Sequence, residues 1–172
     1  MKTSVLFHKG WQAMVMALAL SLPAVQAAET DQTAPLFTAT TLSGQEFKLS
    51  DYLGKQPVYL KFWATWCSYC KAEMPHLNAI EKQFGDEVKV VSVNVGFNDS
   101  VANIQQFFRQ EGYDIPTIFD AKGEITQMYQ VVGTPQHILI DKDGKVAYRT
   151  FLATDQLDQT IARWAQQDVA QH

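Results

Sequence analysis

The apolar and polar positions of this chain switch between two periods. Leu36 to Thr40 and Glu46 to Leu49 read as two short strands around the turn Ser43-Gly44, a hairpin-like opening, and Asp51-Tyr52-Leu53-Gly54 reads as a single helical turn. Pro57 to Trp63 (PVYLKFW) is a nearly unbroken apolar and aromatic run, as expected of a buried parallel strand. From Cys67 to about Phe84 the period changes. Met74, Leu77, Ile80 and Phe84 recur at spacings of three and four, which places them on one helical face. Pro75 is expected to kink that helix, and Gly85 to end it.

Val88 to Val95 (VKVVSVNV) makes a second buried strand, and Asp99 or Ser100 can cap a helix carrying Val101, Ile104, Phe107 and Phe108. A short strand near Thr117 to Phe119 and a helix from about Glu124 to Gln130 follow. Strand Gln136 to Ile140, the turn Asp141-Lys142-Asp143-Gly144 and strand Lys145 to Thr150 form a hairpin around an Asp-Gly dipeptide. A terminal helix from about Thr154 to Gln167 carries Leu157, Ile161 and Ala165 inward, with Trp164 beside them. There is no internal repeat, low-complexity tract or second-domain linker. Strands alternating with helices, closed by a hairpin and a helix, describe an α/β sandwich with a mixed sheet.

The first residues change the picture of where this domain works. Lys2 and Lys9 precede an apolar run from about Ala13 to Leu22, then Pro23 and a small-residue site at Val25-Gln26-Ala27. That is the layout of a signal peptide spanning residues 1–27, with cleavage after Ala27. The run falls short of the roughly 20 residues of a membrane span, although an uncleaved anchor is the alternative. No cysteine lies near the cleavage site, so a lipoprotein-type lipid anchor is not expected. Removal of residues 1–27 takes two lysines and no acid, leaving 12 basic against 18 acidic residues and a net charge of −6. An acidic domain of this kind argues against nucleic acid as a partner.

Two cysteines, Cys67 and Cys70, are all the sulfhydryl chemistry the chain has, and they sit three residues apart in KFWATWCSYCKAEMP. A disulfide closing so short a loop removes little entropy from the unfolded chain, so stability is a weak reason for the pair. Reactivity is a better one. A strand that ends at Ala64-Thr65-Trp66 and turns into a helix puts Cys67 at the helix N-terminus, where free backbone N–H groups and the helix dipole favour a thiolate. Cys67 is therefore the expected attacking thiol, and Cys70, one turn along, the resolving thiol. A zinc site would need a second cysteine pair or paired histidines, whereas His76, His137 and His172 are scattered; no metal and no cofactor beyond the redox disulfide is expected.

The string FWATWCSYC, Pro75 five residues after Cys70, and Gly133-Thr134-Pro135 some 65 residues after the pair together resemble the thioredoxin superfamily. The opening APLFTATTLSGQEFKLSDYLGKQPVYLKFWATWC, with the extra strand and helix before the late proline, is similar to the TlpA/ResA-like branch of exported thiol-disulfide oxidoreductases. The likeness spans about residues 35–167. It implies a thioredoxin-like three-layer sandwich, a central mixed sheet flanked by helices, with an N-terminal β-hairpin and an extra strand-helix insertion. It further implies a cis Pro135, with Thr134 beside the disulfide presenting backbone hydrogen-bond groups to a partner chain. Trp66, directly before Cys67, is expected to line the docking surface, and Trp63 the core or a pocket wall.

Glu73 stands where the pattern WCxxCxxExP of that branch carries a glutamate. It is expected either to accept the Cys70 proton, if partial burial raises its pKa, or to be a solvated acid on the helix face. Lys61 departs from the buried aspartate of many thioredoxins. Its stem is expected to run along the sheet with its charge reaching water, the alternative being an ammonium close to the sulfurs. His137 is expected to be an ordinary strand residue.

These readings converge on a periplasmic protein-disulfide reductase, a monomer acting on disulfide-bearing partner proteins and recharged, as the resemblance implies, by a membrane thiol-electron donor. Ser68-Tyr69 between the cysteines leaves the direction of electron flow open. One rival is a thiol peroxidase, yet peroxiredoxins need a threonine and a proline where Ala64 and Leu60 stand. The other is a non-catalytic assembly factor or metallochaperone of the same fold, in which the disulfide merely holds a loop.

Overall fold

The computed structural model describes residues 32–169. The segment read as a signal peptide lies outside the described residues. Two short antiparallel strands open the domain, β1 (Thr38–Thr40) and β2 (Glu46–Lys48). The first is shorter than its apolar pattern suggested, and Leu36, ahead of it, is exposed. The helical turn also falls earlier than expected, as a 3-10 turn over Leu49–Asp51, because Leu49 is fully buried and bends the chain into the core.

The main sheet has five strands in the order β5-β4-β3-β6-β7. Its centre is β3 (Val58–Trp63), buried at every position, paired in parallel with β4 (Lys89–Asn94) and antiparallel with β6 (Gln136–Ile140). The parallel strand β5 (Thr117–Phe119) and the antiparallel β7 (Val146–Thr150) form the edges. A strand buried on both faces has to be apolar on both, which is why β3 reads as a continuous run.

Helix α1 (Ser68–Phe84) follows β3 and runs on through Pro75, burying Cys70, Met74, Leu77 and Ile80. Helix α2 (Val101–Glu111) is capped by Ser100, whose hydroxyl accepts the Asn103 N–H, and Gly112 ends it in the left-handed conformation. A short α3 (Glu124–Met128) and the terminal α4 (Asp155–Val169) complete the set. On one face of the sheet Trp63 lies against Phe107 and Phe108 of α2, and α1 meets α4 through His76 and Asp158. On the other face Phe62 meets Tyr129, and Phe37 joins Tyr129 to Phe47 of the hairpin. The result is a three-layer α/β sandwich of thioredoxin-like type with its N-terminal hairpin outside the main sheet. Among the described residues no helix is long and apolar enough to cross a membrane.

Two features prepare the functional end. Hydroxyls continue across the strands from Trp63 Nε1 to Ser92 and on to Thr117, so the polar edge of the buried indole is satisfied. Gly96, just past β4, has φ +73° and lies so close to Asp120 that a Cβ would come within 2.2 Å of its carbonyl oxygen. Gly96→Ala should therefore cost about 2 to 4 kcal/mol, from left-handed strain plus the clash. Urea unfolding measures it, and a loss under about 0.5 kcal/mol would show that the loop simply moves aside.

Candidate active site

Cys67 and Cys70 are joined in a disulfide, their Cα atoms 5.2 Å apart. Cys67 is the N-cap of α1, and the Cys70 N–H points at its Sγ over 3.1 Å. Cys67 keeps 7% of its surface and Cys70 none, so an incoming group meets Cys67 first. The carbonyl oxygen of Thr134 lies 3.6 Å from Cys67 Sγ, and the Thr134–Pro135 peptide bond is cis. Chain segments 67 residues apart thus form one edge beside the more accessible sulfur.

Glu73 does not behave as the sequence suggested. Burial pushes its carboxyl pKa up, but hydrogen bonds from His137, the Ala153 N–H and Lys61 outweigh that and hold it at about 2. Its Oε2 accepts from Lys61 Nζ and His137 Nε2, each at 3.0 Å, and its Oε1 from Ala153 N at 2.8 Å. The expectation that burial alone would raise this pKa toward neutrality is overturned, because the pocket that buries the carboxylate also supplies its donors. Nor is it a solvated surface acid.

Lys61 corrects the expectation of a charge reaching water. Its side chain is 1% exposed and ends on Glu73. Burial lowers its pKa while the carboxylate draws it back up. His137 stands directly opposite it in the β3–β6 register, so both side chains leave the same face of the sheet. Beyond its strand position, His137 links Glu73 to the hydroxyl of fully buried Tyr59, which lies 2.6 Å from Nδ1. Burial, the largest influence, lowers the His137 pKa, and the neighbouring carboxylate opposes it. A neutral ring with its proton on Nε2 fits both contacts: Nε2–H donates to Glu73, and Nδ1 accepts from Tyr59.

Asp99, read only as one of two possible helix caps, has a larger part. Its Oδ2 accepts from Thr65 N and Asn94 Nδ2, both at 2.7 Å, and its Oδ1 from Thr65 Oγ1 at 2.7 Å and Ser100 N at 2.9 Å. Burial alone would raise its pKa, but these donors lower it. The segment leading into Cys67 is thereby tied to the end of β4 and the start of α2. Trp66 is exposed and donates its indole N–H to the Phe97 carbonyl at 2.7 Å, whereas Trp63 is wholly buried. The site thus unites Cys67, Cys70, Trp66, Thr134 and Pro135, with Glu73 one helical turn behind. The parts missing from the sequence reading are Tyr59, the Phe97 backbone carbonyl, Asp99 and the Ala153 N–H. A lysine in an otherwise apolar strand is the one sequence signal that points toward a buried counter-charge, and it does not say which residue supplies it. Among the described residues no group of three His, Cys, Asp or Glu side chains is placed to hold a metal ion.

A thioredoxin-like sheet with a disulfide capping the helix after its central strand and a cis-proline loop against it defines a protein of the dithiol/disulfide class. Residues 30–149 match the AhpC/TSA family, and the chain belongs to it. It is 38% identical over 115 residues to the thiol-disulfide oxidoreductase ResA of Geobacillus thermodenitrificans, which covers 66% of this chain and 64% of that protein. The chain therefore spans a little under two thirds of that relative's length. Among solved structures it is similar to a secreted disulfide oxidoreductase of Mycobacterium tuberculosis, with TM-score 0.63, 30% identity, and 76% and 95% of the two chains covered. The exposed lipoprotein thioredoxin of Streptococcus pneumoniae aligns with TM-score 0.63 and 33% identity over 75% of this chain and 99% of its own. The resemblance to ResA-like proteins of the thioredoxin superfamily therefore holds.

Two outcomes follow from the buried charges. Glu73→Gln leaves Lys61 without its counter-ion and should cost about 3 to 5 kcal/mol, most of which a Lys61→Met/Glu73→Gln double variant should regain. Denaturant midpoints decide this, and an equal loss in the double variant would show that the pairing is not the cause. Acid should also destabilise the protein in two stages, because the unfolded chain binds more protons at both groups. Below about pH 6.5 the unfolded chain protonates histidine while folded His137 resists; from about pH 4.5 down to about 2 the same holds for Glu73. In His137→Gln the decline between pH 6.5 and 4.5 should be smaller, and an unchanged profile would reject the assignment.

Proposed function

We propose that the chain is an exported thiol-disulfide oxidoreductase that reduces disulfides of partner proteins in the periplasm. The observation that carries this reading is the pair itself: one sulfur capping a helix and keeping slight exposure, the other wholly buried one turn behind it, with the Thr134 backbone carbonyl beside the first. The relatives named as thiol-disulfide or disulfide oxidoreductases support the chemistry, and the secreted Mycobacterium protein supports export.

In the reduced protein the Cys67 thiolate attacks one sulfur of a partner's disulfide. That S–S bond breaks, the partner's other sulfur leaves as a thiolate and takes a proton from solvent, and a mixed disulfide joins Cys67 to the partner. Cys70 then loses its proton, and its thiolate attacks Cys67 Sγ. The Cys67–Cys70 bond forms, and the partner's first sulfur leaves as a thiolate. Two electrons have passed to the partner and the pair is oxidised, the state seen here. A dithiol must return two electrons, and the ResA-like resemblance supports a membrane thiol carrier as the donor. The protein works as a monomer without metal, and its acidic balance fits protein rather than nucleic-acid partners.

In this scheme Trp66, Thr134 and Pro135 receive the partner. Glu73, ionised and saturated with donors, is a positioning residue that keeps α1, β6 and the segment after β7 in register rather than a base poised near neutral pH.

Equilibration of the purified protein against thiol buffers tests the direction. A midpoint near or below about −270 mV, the thioredoxin range, fits a reductase, whereas one near −120 mV would make the protein an oxidant. Cys70→Ser should accumulate partners in mixed disulfide with Cys67. A Cys67→Ser protein that retained full function would instead favour a non-catalytic assembly role.

A further inference from the structure

Phe97 is 68% exposed and Trp66 52%, and their rings meet edge to face with centroids 6.4 Å apart and planes at 83°. The indole N–H is already spent on the Phe97 carbonyl, so the remaining indole surface offered to solvent is apolar. The backbone beneath Phe97 is held at both ends. Gly96 sits hard against Asp120, Asn98 adopts a left-handed φ of +49°, and Asp99 is bonded to Thr65. A large hydrophobic side chain kept in water by so firmly tied a loop is a surface built for contact.

We propose that Phe97 is a specificity-determining residue: with Trp66 it forms a two-ring subsite for an aromatic or large aliphatic side chain flanking the cysteine of a partner polypeptide. This rests on the exchange proposed above and adds to it the chemistry of the partner segment. The occupant follows from continuity with the reacting sulfur. Trp66 immediately precedes Cys67, so a polypeptide joined to Cys67 by a mixed disulfide has the ring pair within reach of residues beside its own cysteine. The Thr134 carbonyl also lies beside that sulfur, 3.6 Å from it, so the segment meets backbone and ring pair together. Residues 62–70, 90–98 and 129–136 carry no formal charge, although 19% of the whole chain is charged. The Asp99 carboxylate next to them is occupied by its donors. An uncharged apolar segment matches this surface, and a strongly basic or acidic one does not.

The test uses pre-reduced protein and short peptides whose single cysteine is a mixed disulfide with thionitrobenzoate, released and read by absorbance when Cys67 attacks the peptide sulfur. Tryptophan is placed in turn at each of the three positions on either side of the cysteine, with serine elsewhere. At one position tryptophan should lower the half-saturating concentration about 3- to 10-fold in the wild type, with the limiting rate unchanged. Phe97→Ala should abolish that gain, and Phe97→Trp should keep it. Both variants should react normally with the mixed disulfide of mercaptoethanol and thionitrobenzoate, which is too small to cover the rings. A gain that survives in Phe97→Ala overturns the proposal, as does a Phe97→Ala protein equally impaired with the small disulfide. If the wild type reacts with the small disulfide but no tryptophan position binds better, the subsite fails while the exchange stands. If the wild type releases no thionitrobenzoate from any substrate, the exchange itself fails, and the subsite with it.

Discussion

A carboxylate withdrawn from water must be given donors, and Glu73 finds them on three separate segments: Lys61 on the central strand, His137 on the strand that follows the cis peptide, and the Ala153 N–H after the last strand. Together they hold an ionised carboxylate whose side chain keeps only 16% of its surface. Because Glu73 stands one helical turn beyond Cys70, its bonds also fix the first turns of α1 against β6. At the start of the same helix Cys67 Sγ lies 3.6 Å from the Thr134 carbonyl.

Asp99 applies the same logic on the opposite side. Its donors come from Thr65, Asn94 and Ser100, so the segment entering Cys67 is tied to the end of β4 while Glu73 ties the segment leaving Cys70. Two ionised carboxylates bracket the cysteines, yet both spend their charge inward on hydrogen-bond donors. What is left toward solvent is the slightly exposed Cys67, the Thr134 backbone beside it and the rings of Trp66 and Phe97.

Much of this was written locally. The period of two or of three to four residues, the unbroken run of β3, the Asp-Gly turn and the position of Cys67 where strand becomes helix depend on near neighbours, and all were legible as sequence. Ser100 could be named as a helix cap for the same reason. Boundaries were less secure where the core drew the chain in: Leu49 is pulled into a 3-10 turn by burial against residues that do not adjoin it in sequence.

The fates of Lys61, Glu73, His137 and Asp99 were not legible. Burial by itself raises a carboxyl pKa and lowers that of a lysine or histidine, and only the donors or counter-charges brought in by folding decide which influence wins. For Glu73 those donors lie 12, 64 and 80 positions away. The sequence alone determined the order of elements and the place of the two sulfurs, because local spacing encodes them. The tertiary structure alone decided the charge state behind the sulfurs and the surface beside them, because both depend on groups that only packing brings together.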